Sequence, residues 1–335
     1  MTMKHLTICI FALFSLVLAP SLHAATAPGK VQALLVVGDV QLVDATGNKQ
    51  PLTKGQTFQE GSTVMAGKDS GATLVFSNGA TMKVTAGAQL TVSKFQQAPF
   101  DETKEGTFLR LQRDPSQSIT QLDLRNGTLQ GEVKELDTKD NSSFTVNTPA
   151  GSAGIRGTVV SISVVRDASG KVTGVTAVCP VGAFAFSSST GGTPAMDVSN
   201  GGALTIAVTV DPTTGAVTGA SITGATVTSA QATAMLATVY TAINDARASL
   251  GLAPVTPPTV SGTPSVTTSG GATVTTVPLA DDQPSTTVFN NIQPSSPGNN
   301  GNGGNPAPPP GSGATQTTSG TGSETTNPSV PVSPQ

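Results

Sequence analysis

The chain has 335 residues, a formal net charge of −3 and only 11% charged residues, so it lacks the basic character of a nucleic-acid-binding protein. It contains no tryptophan and one tyrosine, which disfavours sugar sites built on aromatic stacking platforms. Its two histidines, His5 and His23, both lie near the N-terminus.

The first 25 residues have the pattern of a secretory signal. Lys4 gives a short basic start, the stretch Leu6 to Ala19 is apolar, and small residues follow. The apolar stretch is shorter than the ~20 residues that span a bilayer, so cleavage after Ala24 or Ala25 is favoured over a retained anchor. We predict a signal peptide over 1–25, a periplasmic, secreted or cell-surface location, and no membrane span after cleavage.

Loss of this signal leaves a chain without histidine, which limits its chemistry. A Ser-His-Asp triad, a Cys-His pair, a histidine general base and the common histidine-containing zinc sites are excluded. The remaining cysteine, Cys179, lies in an apolar stretch without a basic neighbour, which indicates a buried residue rather than a reactive thiol. A glycosidase that uses a pair of carboxylates is an alternative that the sequence does not exclude. Asp123, Glu132 and Glu135 are more simply interpreted as solvated charges on strands. We expect no enzymatic activity, no cofactor and no metal.

Residues 31–227 consist of short runs rich in Val, Ile, Thr and Phe that are interrupted by glycine, which is typical of strands and turns. The segment Ser77-Asn78-Gly79 predicts a hairpin with a type I′ turn, because Asn and Gly tolerate positive φ angles. The pattern predicts one all-β domain with strands at Val31–Val37, Val40–Val43, Ala72–Ser77, Ala80–Thr85, Gln89–Phe95, Gln121–Arg125, Ser143–Asn147, Val159–Arg166, Val172–Val178, Ala203–Val210 and Ala216–Thr223.

Two acidic turns, at Asp167 and Asp211, each precede a glycine between β runs and raise the alternative of calcium sites. Each turn supplies one carboxylate, whereas an EF-hand loop supplies several at alternating positions. Turns in which the Asp side chain accepts hydrogen bonds from its own backbone are the favoured interpretation.

The hydrophobic periodicity changes near Thr228. Over 228–251 apolar residues recur at helical spacing, with Thr228 or Ser229 available as the N-cap and Gly251 as the C-cap. We predict one amphipathic helix that packs on the β domain, because its polar face lacks the lysines of membrane-surface helices.

Residues 252–335 hold most of the 24 prolines, together with many Thr, Ser, Gly and Asn and few charges. Such a composition cannot bury enough apolar surface to offset the entropy cost of ordering. We predict a low-complexity, largely disordered tail, which is a flexible linker from Ser295 onward. Ala272–Val277 and Thr286–Phe289 are candidates for an additional strand of the β domain.

The stretch TPAGSAGIRGTVVSIS, from Thr148 to Ser163, raises the hypothesis of a phosphate-binding loop. Its glycine spacing is G-x-x-G-x-x-G, and a β-branched run follows Gly157. A dinucleotide loop needs G-x-G-x-x-G and must open a helix, whose N-terminus holds the anion. We therefore interpret the stretch as a turn followed by a strand, with Pro149 ending the preceding strand.

Three segments together resemble the FecR family: GDVQLVDATGNKQPLTKGQTFQEGSTVMAGKDSGATLVFSNGATMKVTAGAQLTV, LDLRNGTLQGEV and FTVNTPAGSAGIRGTVVSISV. The resemblance covers about residues 36–165. Its motif residues, which we interpret as structural, are Gly55, Gly61, Gly67, Ser70, Asn78, Gly79, Thr148, Pro149, Arg156, Gly157 and Thr158.

The resemblance implies a mainly β, extracytoplasmic domain of short strands in a twisted solenoid-like or sandwich-like arrangement. It further implies a ligand- or partner-binding module. Together with the signal and the polar tail, this predicts a non-enzymatic module that binds a protein or polysaccharide of the bacterial envelope. The family's namesake controls a sigma factor through a cytoplasmic, tryptophan-containing segment, and because this chain has no tryptophan we expect the binding module rather than sigma-factor control. A structural or adhesion protein with the tail as spacer is the alternative.

Arg156 has two candidate roles. An arginine between apolar neighbours at a turn usually donates to backbone carbonyls or to one carboxylate and fixes the loop. The alternative is direct contact with an anionic ligand. The internal clamp is the favoured prediction, in which case Arg156→Ala lowers stability by about 1–3 kcal/mol.

Overall fold

The computed structural model describes residues 26–137, 141–191 and 193–280. The predicted signal peptide and the tail from residue 281 onward lie outside these ranges. The described part is mainly β, as expected, with one long helix. Within it, no helix is both long enough and apolar enough to cross a membrane.

The described strands follow the chain from Ala27 to Pro278. A short helix α1 covers Glu102–Glu105, a 3₁₀ turn covers Phe108–Arg110, and helix α2 covers Ser229–Ala248. The strands are β1 Ala27–Pro28, β2 Val31–Val37, β3 Val40–Val43, β4 Lys49–Pro51, β5 Thr57–Phe58, β6 Thr63–Ala66, β7 Gly71–Phe76, β8 Thr81–Val84, β9 Gln89–Gln97, β10 Ser118–Val133, β11 Ser143–Thr148, β12 Gly151–Arg166, β13 Val172–Ser188, β14 Met196–Ser199, β15 Gly202–Val210, β16 Val217–Thr226, β17 Ser265–Thr268 and β18 Thr276–Pro278.

All strands belong to one mixed sheet that folds over into two layers. Strands β10, β12 and β13 are long and run through both layers, because each pairs with different neighbours along its two halves. We call one half the covered layer: β2, β7, β8, β15, β16 and β18 with residues 127–133, 158–166 and 172–181 of the long strands. The other half, the open layer, contains β3, β4, β6, β9, β11, β14 and β17 with residues 118–126, 151–156 and 183–188.

Glycines with positive φ mark the bends where a long strand passes from one layer to the other. Gly127, Gly157 and Gly182 have φ angles of 74°, 53° and 94°. A Cβ on Gly127 would lie 2.5 Å from the Cα of Ala88, and a Cβ on Gly182 would lie 2.7 Å from the Gly157 carbonyl oxygen. Gly127 and Gly182 therefore require glycine both for backbone conformation and for space, whereas at Gly157 only the positive φ favours it.

The core lies between the two layers. Phe76 of β7 packs edge to face against Phe95 and Phe144 of the open layer, with ring centroids 5.5 and 6.0 Å apart. All three rings are 0–1% exposed. Inward-facing side chains of both layers alternate with outward-facing ones along each strand, which accounts for the period-2 pattern of the sequence.

The predicted hairpin is confirmed, but its predicted type I′ turn is wrong. Strands β7 and β8 pair from Val75 with Thr81, and the Gly79 N–H donates to the Phe76 carbonyl at 2.8 Å. Only Gly79 has a positive φ in this turn, whereas a type I′ turn needs two such residues. Asn78 does not take the left-handed conformation, and its side chain makes hydrogen bonds in the interior.

Helix α2 begins and ends much as its cap residues predict. Thr228 and Gln231 form a capping box, in which Gln231 N–H donates to Thr228 Oγ1 and Thr228 N–H donates to Gln231 Oε1. After the helix, Gly251 N–H bonds to the Ala248 carbonyl and Leu252 N–H to the Arg247 carbonyl, the Schellman arrangement around a glycine with φ of 68°.

Helix α2 lies across the outer face of the covered layer. Its apolar residues Leu236, Val239 and Ile243 cluster with Val159, and Ala246 clusters with Leu34 and Val75. The Tyr240 hydroxyl donates to Glu132 Oε1 at 3.2 Å, and Glu132 also pairs with Lys134 at 2.7 Å. The predicted packing of the helix on the β domain is therefore what the structure shows.

The ordered chain continues beyond the point where the composition predicts a tail. Strand β17 pairs with β14, β18 pairs with β16 in parallel, and Leu279 is buried. The candidate strand Ala272–Val277 is only partly realised, since β18 begins at Thr276 and Thr273 forms a single bridge with Thr267. The candidate strand Thr286–Phe289 lies outside the described residues.

Candidate functional site

The motif residues before the hairpin hold separate turns. Gly55 has a φ of 84° and its N–H donates to the Ala33 carbonyl at 2.7 Å. A Cβ on Gly61 would meet that of Ala45 at 2.7 Å. Both residues therefore serve the local backbone and do not contribute to a common site.

Gly67 and Ser70 lie in the bend between β6 and β7 and join it to the bend between β2 and β3, which contains Asp39. The Gly67 N–H donates to the Asp39 carbonyl at 2.8 Å. The Ser70 hydroxyl accepts from the Asp39 N–H and donates to the Lys68 carbonyl, each at 3.0 Å. Ser70 is only 2% exposed, so its role is internal.

Asn78 joins a buried polar network beneath the hairpin. Its amide donates to Thr120 Oγ1 at 3.1 Å and to Ser118 Oγ at 3.3 Å, and Ser118 in turn donates to Asp114 Oδ2 at 2.6 Å. Asp114 also accepts from Gln97. Burial raises the pKa of the Asp114 carboxyl, and the hydrogen bonds from Ser118 and its other donors offset part of that rise. Sequence patterns gave no signal for this network, since its members come from distant strands.

Thr148 and Pro149 form the turn between β11 and β12. β11 ends at Thr148, as the proline predicts, and Thr148 Oγ1 donates to the Gly151 carbonyl at 2.8 Å. The glycine-rich stretch after the turn is itself strand, since β12 begins at Gly151 and not at Val159. Small residues at these positions let β12 continue across the open layer to the bend at Gly157.

The internal clamp of this motif is Thr158, and the prediction of Arg156 as the clamp is wrong. Arg156 is exposed on the outer face, and among the described residues its guanidinium has no hydrogen-bond or ion-pair partner. Thr158 is 2% exposed; its Oγ1 lies 2.6 Å from both the Arg156 and Ala183 carbonyl oxygens and accepts the Ala183 N–H at 3.1 Å. The alternation in which Ile155 faces the core sends Arg156 outward.

Arg156 lines a groove of about 550 Å³ on the outer face of the open layer. The floor is made of Gly154, Ala183 and Ala185, whose small side chains leave the sheet face uncovered. The polar lining comprises Ser142, Ser143, Thr145, Asp197, Ser199, Ser265 and Thr267. The groove volume lies in the usual range of ligand sites, ~300–1,000 Å³.

The groove residues from β14 and β17 were not predicted from the sequence. Asp197 faces Ala185 on one side and Thr267 on the other, and Ser199 faces Ala183. The alternation in Met196-Asp197-Val198-Ser199 places Asp197 and Ser199 on one face, but no local pattern shows which strand lies beside them.

Cys179 and the two acidic turns have structural roles. Cys179 is fully buried, which raises the pKa of its thiol to about 12 and keeps it protonated. Asp167 accepts from Ser169 and Lys171 N–H groups, and Asp211 accepts from Thr213 and Thr214 N–H groups, so both form the predicted Asx-type turns. In the described ranges no three His, Cys, Asp or Glu side chains gather to hold a metal ion.

Comparison with solved structures gives two chains of a putative anti-sigma factor from Parabacteroides distasonis ATCC 8503, solved at 2.50 and 1.65 Å. Each is similar to this chain with 12% sequence identity and a TM-score of 0.34 over 52% of this chain. The matched region spans 63% and 64% of the two solved chains, less than two thirds of their length. No curated protein matches the sequence.

A sequence model of the family described as FecR protein matches residues 62–178. This range starts later and ends later than the 36–165 of the resemblance, so Gly55 and Gly61 lie before it and the other motif residues lie within it. It runs from the start of β6 into β13 and includes Asn78, Arg156 and Thr158. Residues 62–178 of this chain are a FecR domain.

Proposed function

We propose that this chain is an exported, non-enzymatic binding module of the bacterial cell envelope. It acts in the periplasm or at the cell surface, where the outer face of its open layer holds a protein or a polysaccharide. The N-terminal sequence pattern supports export, and the FecR domain supports an extracytoplasmic place of action.

One observation carries the proposal: the two outer faces of the sheet differ. Helix α2 covers part of the outer face of the covered layer, where Val159 and Val181 pack against it. The outer face of the open layer presents the groove, with Arg156 unpaired at its border among the described residues. A concave surface with few charges and several hydroxyls is suited to holding a ligand.

The chemistry of the groove supports binding rather than catalysis. Asp197 is the one carboxylate among its lining residues, and the sequence has no histidine after His23. A pair of acidic groups flanking a bond, or a nucleophile with its base, is therefore missing from the lining.

The test is a pull-down from envelope extracts with residues 26–335 as bait. A bait ending at 255 is unsuitable, because it would remove β17 and β18 from their pairings with β14 and β16. Ala185→Trp fills the groove floor, and Ala207→Trp, at an exposed alanine of β15, is the matched control. We expect at least one envelope component to be captured by the unsubstituted bait and by the Ala207→Trp bait, but not by the Ala185→Trp bait. Equal retention by all three baits would contradict the proposed face.

The low-complexity composition of residues 295–335 supports a second role, as a spacer that displays the module at the surface. Deletion of these residues tests it separately. Unchanged ligand binding together with lost surface display supports the spacer, whereas lost binding assigns the segment to the ligand site.

A further inference from the structure

The groove on the open layer combines a free guanidinium with a lining of hydroxyl groups. Arg156 projects from β12 and has no partner among the described side chains. Ser199 and Thr267 stand on the neighbouring strands at half-buried positions. A guanidinium offers a planar pair of N–H donors that matches a carboxylate, and each hydroxyl both donates and accepts.

The groove provides no aromatic platform. Phe144 and Phe184 contribute to its lining, but they are 1% and 2% exposed because their rings point into the core. Recognition of a neutral sugar by stacking on a ring face is therefore not available here. Polar contacts must provide the selectivity.

Backbone pairing is likewise unavailable to a ligand in the groove floor. β12 pairs with β11 and β13 on its two sides, β13 pairs with β12 and β14, and β14 pairs with β13 and β17. Peptides that bind by strand addition need a free sheet edge with unpaired N–H and C=O groups. A ligand made of hydroxyls and carboxylates fits this surface better than an extended peptide.

The register of the strands places the two charged groups apart. Arg156 lies in one cross-strand row with Ala183 and Ser199, and Asp197 lies in the next row of the same face, between Ala185 and Thr267. Two strand spacings of ~4.8 Å and two residues of ~3.3 Å put their Cα atoms about 12 Å apart. A carboxylate held by Arg156 is thus separated from Asp197, which can accept hydrogen bonds from the hydroxyls of a neighbouring sugar.

We infer that this groove binds an acidic oligosaccharide, with a carboxylate on Arg156 and sugar hydroxyls on Asp197 and the Ser and Thr side chains. The inference rests on the proposed binding function and names its ligand class. The net charge of −3 gives no long-range attraction for a polyanion, so the affinity depends on the short-range contact with Arg156.

The test is calorimetric titration of residues 26–335 with tetragalacturonate, with maltotetraose as the neutral sugar and poly-L-glutamate as the acidic peptide. Arg156→Gln removes the guanidinium. Arg113→Gln is the matched control. The Arg113 side chain is 75% exposed, and its one ion pair among the described residues is long, with 3.9 Å between Arg113 Nη2 and Glu135 Oε2. We expect tetragalacturonate to bind, Arg156→Gln to weaken it about tenfold or more, and Arg113→Gln to change it less than about twofold.

Several results would overturn the inference. They are equal binding of maltotetraose, equal or tighter binding of poly-L-glutamate, an unchanged affinity of Arg156→Gln, or no binding of tetragalacturonate at millimolar concentration. Failure of the proposed function is distinguishable. If Ala185→Trp loses an envelope component that tetragalacturonate does not displace, the groove is the binding site but its ligand is not an acidic sugar.

Discussion

The Thr158 side chain completes the ladder between β12 and β13 where the backbone itself cannot, by accepting the Ala183 N–H at 3.1 Å. The regular pairing is interrupted between Arg156 and Val159, because β12 bends at Gly157. The same hydroxyl lies 2.6 Å from the Ala183 carbonyl, so one buried side chain substitutes for a missing stretch of backbone pairing.

Thr158→Val should lower the free energy of unfolding by about 0.5–1.5 kcal/mol, because it removes the hydrogen bonds of a buried hydroxyl to the Ala183 backbone while preserving the shape of the side chain. Thr158→Ser should retain most of the stability. Arg156→Ala should change it by no more than about 0.5 kcal/mol, since the arginine is exposed. Chemical denaturation measures all three, and a larger loss for Arg156→Ala than for Thr158→Val would restore the arginine as the clamp.

Asn78→Ala should also destabilise the domain by about 1–3 kcal/mol, because it removes a buried donor to Thr120 and Ser118. Exposed Asn48 provides the control, and Asn48→Ala should cost much less. Thermal unfolding of both variants gives the comparison. Similar unfolding temperatures would show that the network beneath the hairpin contributes little.

The Asp44 turn provides a test of pH dependence. Hydrogen bonds from the hydroxyl and N–H of Thr46 and from the N–H and side-chain amide of Asn48 lower the pKa of the Asp44 carboxyl from 3.8 to about 2. Because the folded pKa lies below the unfolded one, the turn contributes stability above pH 3.8 and loses it as pH falls towards 2. An NMR titration should show this midpoint, and Thr46→Val should raise it; a wild-type midpoint near 3.8 would mean that these hydrogen bonds do not persist.

Cys179 should be inert in the folded protein. Its thiol is fully buried, and burial raises its pKa to about 12, so almost no thiolate exists at pH 8. An aromatic disulfide reagent should label it only after unfolding in urea. Rapid labelling under native conditions would indicate that β13 opens locally around this position.

The sequence reveals the β class and many strand positions, and it misses how far the long strands extend. Val31–Val37 and Val40–Val43 coincide with β2 and β3, because alternation and β-branched residues are local signals. β10 and β13 were predicted at less than half their observed length, since glycines such as Gly127 and Gly182 are typical strand breakers. In this fold they bend a strand without ending it.

The candidate site was predictable only in part. Arg156 was singled out by its position in a glycine-rich stretch, and its alternation with Ile155 could have shown that it faces outward. Asp197 and Thr267 were not found, because they become neighbours only through the pairing of β14 with β17, which are far apart in sequence. The sequence predicts Asn78 only as a turn residue, because burial of its amide depends on loops and strands that no local pattern connects to it.

The passage of β12 through both layers gives the protein an internal optical reporter. Arg156 borders the groove, and three residues further along the same strand Val159 packs beneath α2 in the cluster that contains Tyr240. Tyr240 is the single tyrosine of a chain without tryptophan, so its emission reports on one position only. We expect a ligand that shifts the backbone at the groove to disturb the strand under this ring as well, and the tyrosine fluorescence of the unlabelled protein would detect that change.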